Sequence, residues 1–318
     1  MNVPRRTLRR EAAVTGPGLF VPAPTTLRFV PGEHGLRVVA PGADPQALSA
    51  ALLAQTPIHP AFANTPARST NLELPGEQDA RLIATVEHAF SALVGLGVTD
   101  ADLHFEGADD STAIIETPIE DGSAQPFTDA ILDGGLLDRA DLEALEPITL
   151  TESIRVEAPG GAAITASPRS EPGCLYRYEL DYGNADAGKA PIDPHFAEIT
   201  LDPASGHDSA VAYAERVAPA RTFSLLAEAQ LMQKLGLFAH LSPADMLVIG
   251  PEGPIDNRYR FEDEPARHKL LDLIGDLALA GRPLQMNIVA VRSGHALNHQ
   301  MAALLANAAI DLDEKRSR

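Results

Sequence analysis

Glu264-Pro265-Ala266-Arg267-His268-Lys269-Leu270-Leu271-Asp272-Leu273-Ile274-Gly275-Asp276-Leu277-Ala278-Leu279-Ala280 is the clearest helical stretch in the chain. Asp263 stands at the N-cap position, Pro265 falls in the first turn where a missing N–H costs little, and Gly281 follows the end. His268, Asp272 and Asp276 follow one another at i+4 steps and so share a face, beside an apolar stripe of Leu270, Leu271, Ile274 and Leu277. Ionisable groups against a Leu-rich stripe need a partner. A His–Asp pair at this spacing can close on one metal ion, and it equally suits a solvated helix edge.

Downstream, Leu284 to Val291 reads as a strand, Ser293-Gly294 as a turn, and His295 to about Ala308 as a final helix before a charged, fraying tail from Asp311 to Arg318. Upstream, strand patterns occupy Ile148-Thr149-Leu150, Ile154-Arg155-Val156, Tyr176 to Tyr182 and Met246 to Ile249, with helices from Ser209 to Val217 and Leu225 to Leu235. Gly250 to Pro254 reads as a turn.

The first part of the chain repeats the alternation. Thr26 to Val30 and Gly35 to Val39 read as strands, and Pro45 to Ala54 as a helix capped by Asp44. An amphipathic helix is predicted from Ala80, after Asp79, to about Leu96, ended by Gly95 and Gly97. Strands at Leu103 to Phe105 and Thr112 to Ile115 follow, then a helix from about Pro126 to Leu132 closed by Gly134-Gly135. A short helical pattern lies within Leu136 to Pro147, and the domain boundary is placed in its C-terminal part. At roughly 150 residues per domain, 318 residues suit two domains, 1–145 and 146–318. The expectation is an α+β fold of two similar domains, each a β-sheet packed against helices, with a site in the cleft between them.

An apolar share of 45% and a charged share of 22% leave ample material for cores and exclude wholesale disorder. A net charge of −19 disfavours nucleic acid and anionic membrane as partners. No apolar run reaches the ~18 residues of a spanning helix. No apolar stretch follows the basic Arg5-Arg6, so no secretory signal is read and the expected location is cytoplasmic. Cys174 is the only cysteine, which excludes an internal disulfide and Cys-rich zinc motifs; a metal site must use His and carboxylate.

Two further segments carry candidate chemistry. In Thr85-Val86-Glu87-His88, adjacent side chains diverge by roughly 100° around a helix, so one can bind metal while the other reaches water. In Ser293-Gly294-His295-Ala296-Leu297-Asn298, a histidine sits on a Gly turn at a helix start, where the helix N-terminus would lower its pKa and a carboxylate such as Asp276 would raise it. Each alone also fits a packed or half-exposed residue. Glu87, His88, His268, Lys269, Asp272, Asp276 and His295 together are the set a two-His, one-Asp zinc hydrolase needs.

These segments resemble the UDP-3-O-acyl-N-acetylglucosamine deacetylases, zinc amidases of lipid A biosynthesis. Further matches are Arg6-Thr7-Leu8 with Thr15-Gly16-Pro17-Gly18-Leu19, Asp121-Gly122-Ser123-Ala124, Ala220-Arg221-Thr222-Phe223 and Arg260-Phe261-Glu262-Asp263-Glu264, in the family's order. The resemblance implies His88, His268 and Asp272 as ligands of Zn²⁺, with Fe²⁺ an alternative for such N/O donors. It implies Glu87 as general base, and His295, oriented by Asp276, as the group that protonates the leaving amine or steadies the oxyanion. Lys269 and Thr222 would meet charge developing at the amide. It also implies that Tyr182 stacks on uracil, that Phe223 contacts substrate, that Arg292 lies near the diphosphate, and that an insert near 225–249 forms the acyl passage. The implied partner is the UDP-3-O-acyl-N-acetylglucosamine substrate, acted on by a monomer. A different acylated nucleotide sugar, or a silent nucleotide-sugar-binding homologue, are the alternatives.

Three features depart from the family pattern. Phe20 stands where the family commonly has a histidine. Ala239-His240-Leu241-Ser242 replaces a Gly-Gly-Ser stretch, and Asp109-Asp110-Ser111 lengthens one loop. His34, His59, His104, His195, His207, His240 and His299 are read as surface or structural.

Overall fold

The computed structural model describes residues 2–54, 56–63, 67–75, 80–107, 112–182, 192–243 and 246–316, side chains being described up to 308 in the final helix. The Asp109-Asp110-Ser111 insertion and the Asp79 helix start lie outside the described residues.

Helices and sheets mix throughout the chain, as an α+β fold requires. One five-stranded sheet runs in the order Ala12–Gly16, Thr25–Pro31, Ala101–Glu106, Leu36–Val39, Gln46–Ala47, with a single parallel pairing between Leu36–Val39 and Ala101–Glu106. A six-stranded sheet repeats the plan: Ile154–Ala158, Ala162–Pro168, Leu284–Val291, Cys174–Leu180, His195–Leu201, with one parallel pairing between Cys174–Leu180 and Leu284–Val291. Ile148–Thr149 also pairs in parallel with Leu284–Val291. A three-stranded satellite accompanies each sheet: Leu72–Leu74, Arg81–Ala84, Ile114–Glu116 in one case, and Phe223–Leu225, Leu247–Gly250, Gly253–Pro254 in the other.

The helices are α1 (Glu87–Gly95), α2 (Gln125–Gly134), α3 (His207–Arg216), α4 (Leu226–Lys234), α5 (Glu264–Leu277) and α6 (His295–Arg316). Phe127 of α2 packs on Phe29 of the first sheet with ring centroids 6.3 Å apart. α5 packs on Cys174–Leu180 and His195–Leu201 of the second sheet, and α1 packs on α5. A side chain at Gly275 would collide with the Glu87 carbonyl, so glycine sets how closely the two helices approach. Their buried leucines join one core that reaches both sheets. No helix among the described residues is long and apolar enough to cross a membrane.

The alternation of elements follows the sequence reading, with corrections. The helix predicted from Ala80 to Leu96 is a strand, Arg81–Ala84, followed by α1 from Glu87. Arg81–Ala84, the start of the apolar and β-branched run that continues to Val86, pairs with Leu72–Leu74 and Ile114–Glu116, and Thr85 breaks the backbone at φ 57°. Pro45 to Ala54 is not a helix: Gln46–Ala47 pairs with Leu36–Val39, and only a 3₁₀ turn, Ala50–Leu52, follows. Leu136–Asp138 is likewise a strand, pairing with Arg6–Leu8. Short segments such as these take their structure from tertiary partners rather than from propensity.

Candidate active site

His268 and Asp272 project from one face of α5, where i+4 spacing brings His268 Nε2 to 3.3 Å from Asp272 Oδ1. His88 enters from α1, with Nε2 at 3.7 Å from the same oxygen and its ring centroid 5.1 Å from that of His268. One ligand atom from each of the three residues lies within 4.8 Å of the others. His268 Nδ1 is 3.1 Å from the Ala220 carbonyl; it must donate there, which leaves the Nε2 lone pair directed inward. Asp272 Oδ1 is buried without a hydrogen-bond partner. An orphaned carboxylate oxygen facing two imidazole nitrogens fits a divalent cation of N/O preference. Burial holds His88 down at about 3 and lowers His268, so both rings are neutral. Burial opposes ionisation of Asp272, but the facing His268 imidazole and the Lys269 ammonium lead the groups that favour its charged form and hold it below the usual carboxylate range. Lys269 Nζ is 2.7 Å from its Oδ2.

Glu87 is set by the junction that precedes it. Thr85 sits in the left-handed region, uncommon outside glycine, and its hydroxyl donates to the buried Glu116 at 2.7 Å. Asn71 Oδ1 accepts from the Thr85 N–H at 3.1 Å. This turn swings the chain from strand to helix so that Glu87 and His88 occupy the first turn of α1. The Thr70 N–H donates to Glu87 Oε2 at 3.0 Å, while Oε1 is 3.9 Å from His295 Nε2. Burial pushes Glu87 up to about 8 against the pull of His295.

Asp276 lies one turn beyond Asp272 and is fully occupied. Its Oδ2 accepts from His295 Nδ1 at 2.9 Å and Asn298 Nδ2 at 2.8 Å, and its Oδ1 accepts from the Thr70 hydroxyl. Because that hydroxyl proton is committed, His299 Nε2, at 2.7 Å, must donate to Thr70 Oγ1. Burial works against charge on His295, but Asp276 outweighs it and raises the imidazole to about 9. His295 Nε2 faces into the site, 3.9 Å from Asp272 Oδ2.

A cavity of about 220 Å³ opens onto these groups. Of the residues expected at the site, Glu87, His88, Tyr182, Thr222, Phe223, His268, Lys269, Asp272 and His295 line it, and Asp276 stands behind His295. Arg292 does not line the cavity; its guanidinium donates to the Gly160 carbonyl. Thr222 is held by its N–H to the Gly122 carbonyl at 2.5 Å. Phe223 supports Lys269, whose Nζ is 5.8 Å from its ring centre.

Some groups escaped the sequence reading. Thr70 bridges Glu87 and Asp276, yet it lies in an irregular segment where no spacing rule applies. His299, expected as surface or structural, is structural and belongs to this network. Arg221 forms a buried pair with Glu264, Nε to Oε1 at 2.8 Å, and so fixes the segment whose Ala220 carbonyl orients His268. Asn298 follows His295 by three residues on one helix face, a spacing that could have drawn it in.

Residues 5–307 match the model of the UDP-3-O-acyl N-acetylglycosamine deacetylase family. The chain is 32% identical to a UDP-3-O-acyl-N-acetylglucosamine deacetylase of Nostoc sp. over 303 residues, 94% of this chain and 96% of the relative. It is also 32% identical to one of Mannheimia succiniciproducens over 309 residues, covering 96% and 91%. One of Geobacter sp. (strain M21) is 31% identical over 306 residues, covering 95% and 88%. With a match that spans nearly the whole chain, this protein belongs to the UDP-3-O-acyl N-acetylglycosamine deacetylase family.

Proposed function

We propose that the protein hydrolyses the 2-acetamido group of UDP-3-O-acyl-N-acetylglucosamine, the substrate named for its relatives, to acetate and the free amine of the lipid A route. The observation that carries the reading is the convergence of His88 Nε2, His268 Nε2 and the unpartnered Asp272 Oδ1 beside Glu87 and His295. The three ligand atoms would hold Zn²⁺. A divalent cation there supplies a Lewis acid that polarises the amide carbonyl and acidifies water, and its charge draws Glu87 toward the ionised form.

Glu87 Oε1, the oxygen left free by the Thr70 N–H, takes a proton from the attacking water. His295 Nε2 gives a proton to the departing nitrogen; Asp276 holds the ring by Nδ1 and keeps it charged. Lys269 and Thr222, both on the cavity wall, steady charge growing on the amide oxygen. Tyr182 and Phe223 contact substrate from the same wall. Arg292, bound to Gly160, keeps its assigned place near the diphosphate only if substrate draws it off that carbonyl.

Residues 1–145 and 146–318 are read as the two units that meet at this site. Supporting the division, Leu145 bonds back to Val3 while Ile148 already pairs with Leu284. The enzyme is read as a cytoplasmic monomer. Transfer of the same chemistry to a differently acylated nucleotide sugar has one favouring observation, Phe20 packed among aromatic rings at the cavity wall.

Acetate release from UDP-3-O-acyl-N-acetylglucosamine by purified protein tests the proposal. Release that stops with chelator and returns with zinc is expected. Zinc-loaded protein that releases none contradicts it.

A further inference from the structure

The cavity over His88, His268 and Asp272 has an apolar side formed by Leu19, Phe20, Met232, Phe238 and Met246. A second cavity of about 70 Å³ lies behind α4, walled by Leu226, Ala229, Gln230, Leu241 and Val248 among others. Phe238 and Met246 line both spaces and so form the partition between them. Phe238 is buried, and its ring stacks at a tilt on Phe20 with centroids 5.5 Å apart; Phe20 in turn meets Phe62 edge-on at 5.5 Å.

Both sides of this aromatic stop are pinned. Phe20 and Val21 donate their N–H groups to Glu116 Oε2 at 2.8 and 2.7 Å, which fixes the Phe20 loop. His240 Nε2 is 2.8 Å from the Gly18 carbonyl, so the Phe238 turn is tied to that same loop. Phe238 itself has φ 60°, a conformation costly for a bulky side chain and retained only where surroundings enforce it. A residue held in strain between the site cavity and an apolar space behind it is placed like the end-wall of a chain-binding passage.

We propose that Phe238, backed by Phe20, is the stop that limits the length of the substrate's acyl chain. The proposal rests on the deacetylase reading above. A chain short enough to end at the ring binds without rearrangement, whereas a longer one must displace it from its stack on Phe20. Removing the ring joins the two spaces and admits additional methylenes.

The test uses zinc-loaded full-length protein and UDP-N-acetylglucosamine carrying 3-O-decanoyl, lauroyl, myristoyl or palmitoyl chains. In the wild type, kcat/KM falls steeply beyond one member of the series. In Phe238→Gly, which also relieves the positive φ, the ratio of efficiency with the next longer chain to that with the preferred chain rises about tenfold. Phe238→Leu, a milder change that keeps the core apolar, moves the ratio in the same direction by less. Calorimetric binding of the corresponding free fatty acids gives the same order without turnover, so it tests the stop even if no acetate is released. Absence of acetate release from every substrate overturns the deacetylase reading. A flat chain-length profile in the wild type, or a profile and binding series unmoved in both folded variants, overturns the stop.

Discussion

Asp272 and Asp276 lie one turn apart on α5, both buried and each facing two histidines, yet their surroundings differ. Asp272 keeps one oxygen free of hydrogen bonds, and the imidazoles that face it, His88 and His268, are held neutral by burial. Asp276 spends its oxygens on Thr70, His295 and Asn298, and the histidine it grips is driven toward the charged form. Under the proposed function the first is a cation site and the second a proton-carrying site, although the residue types are the same. What separates them is hydrogen-bond saturation. An orphaned buried oxygen asks for a cation, while a saturated carboxylate can only orient and charge its neighbour.

The largest effect that tests this division is expected at Glu87, the proposed base. Glu87→Ala is predicted to lower turnover by about 10²- to 10⁴-fold while bound zinc stays unchanged. Steady-state rates paired with metal analysis check it, and full turnover would remove Glu87 from the chemistry. A smaller effect is expected at the bridge between the two clusters. Thr70→Val, which removes the hydroxyl but keeps the N–H to Glu87, should reduce kcat about tenfold with KM nearly constant, and Thr70→Ser should restore it. Equal loss in both variants would make Thr70 a packing residue.

The smallest effect on activity is expected at Asp100, a buried aspartate outside the site. It is saturated like Asp276, but by a permanent cation: Arg5 Nε lies at 2.8 Å, with the Thr99 hydroxyl at 2.6 Å and the Gly35 N–H at 2.8 Å. Burial opposes its charge, and Arg5 leads the contacts that hold its pKa below the usual value. A folded pKa below the unfolded one means stability present above about pH 4 and lost as pH falls through the folded value. Asp100→Asn should therefore cost about 1–3 kcal/mol near neutrality, less in acid, with turnover per folded molecule unchanged. Thermal melts across pH check this; a constant deficit would show that ionisation of Asp100 adds nothing.

Legibility in the sequence followed regularity. His268, Asp272 and Asp276 stand at i+4 steps on one long helix, so their shared face could be read from spacing alone. Glu87 and His88 stand out as an adjacent pair and take their separate roles from the resemblance, but the helix predicted from Ala80 misplaces their start, because the strand Arg81–Ala84 and the strained Thr85 carry no helix-breaking glycine or proline. Thr70 and Arg221 act through contacts 206 and 43 residues away in the chain, which no local pattern encodes. The two sheets are legible only in part, because Ala162–Pro168 and His195–Leu201 carry no strand prediction and Gln46–Ala47 falls within a predicted helix. Their pairing is set by distant partners.

The most direct test of the division between the two clusters is the metal content of Asp272→Asn and Asp276→Asn proteins after dialysis against zinc-buffered solution. About one zinc per chain is predicted for the wild type and for Asp276→Asn, and almost none for Asp272→Asn. Zinc retained by Asp272→Asn but lost from Asp276→Asn would reverse the assignment and contradict the account.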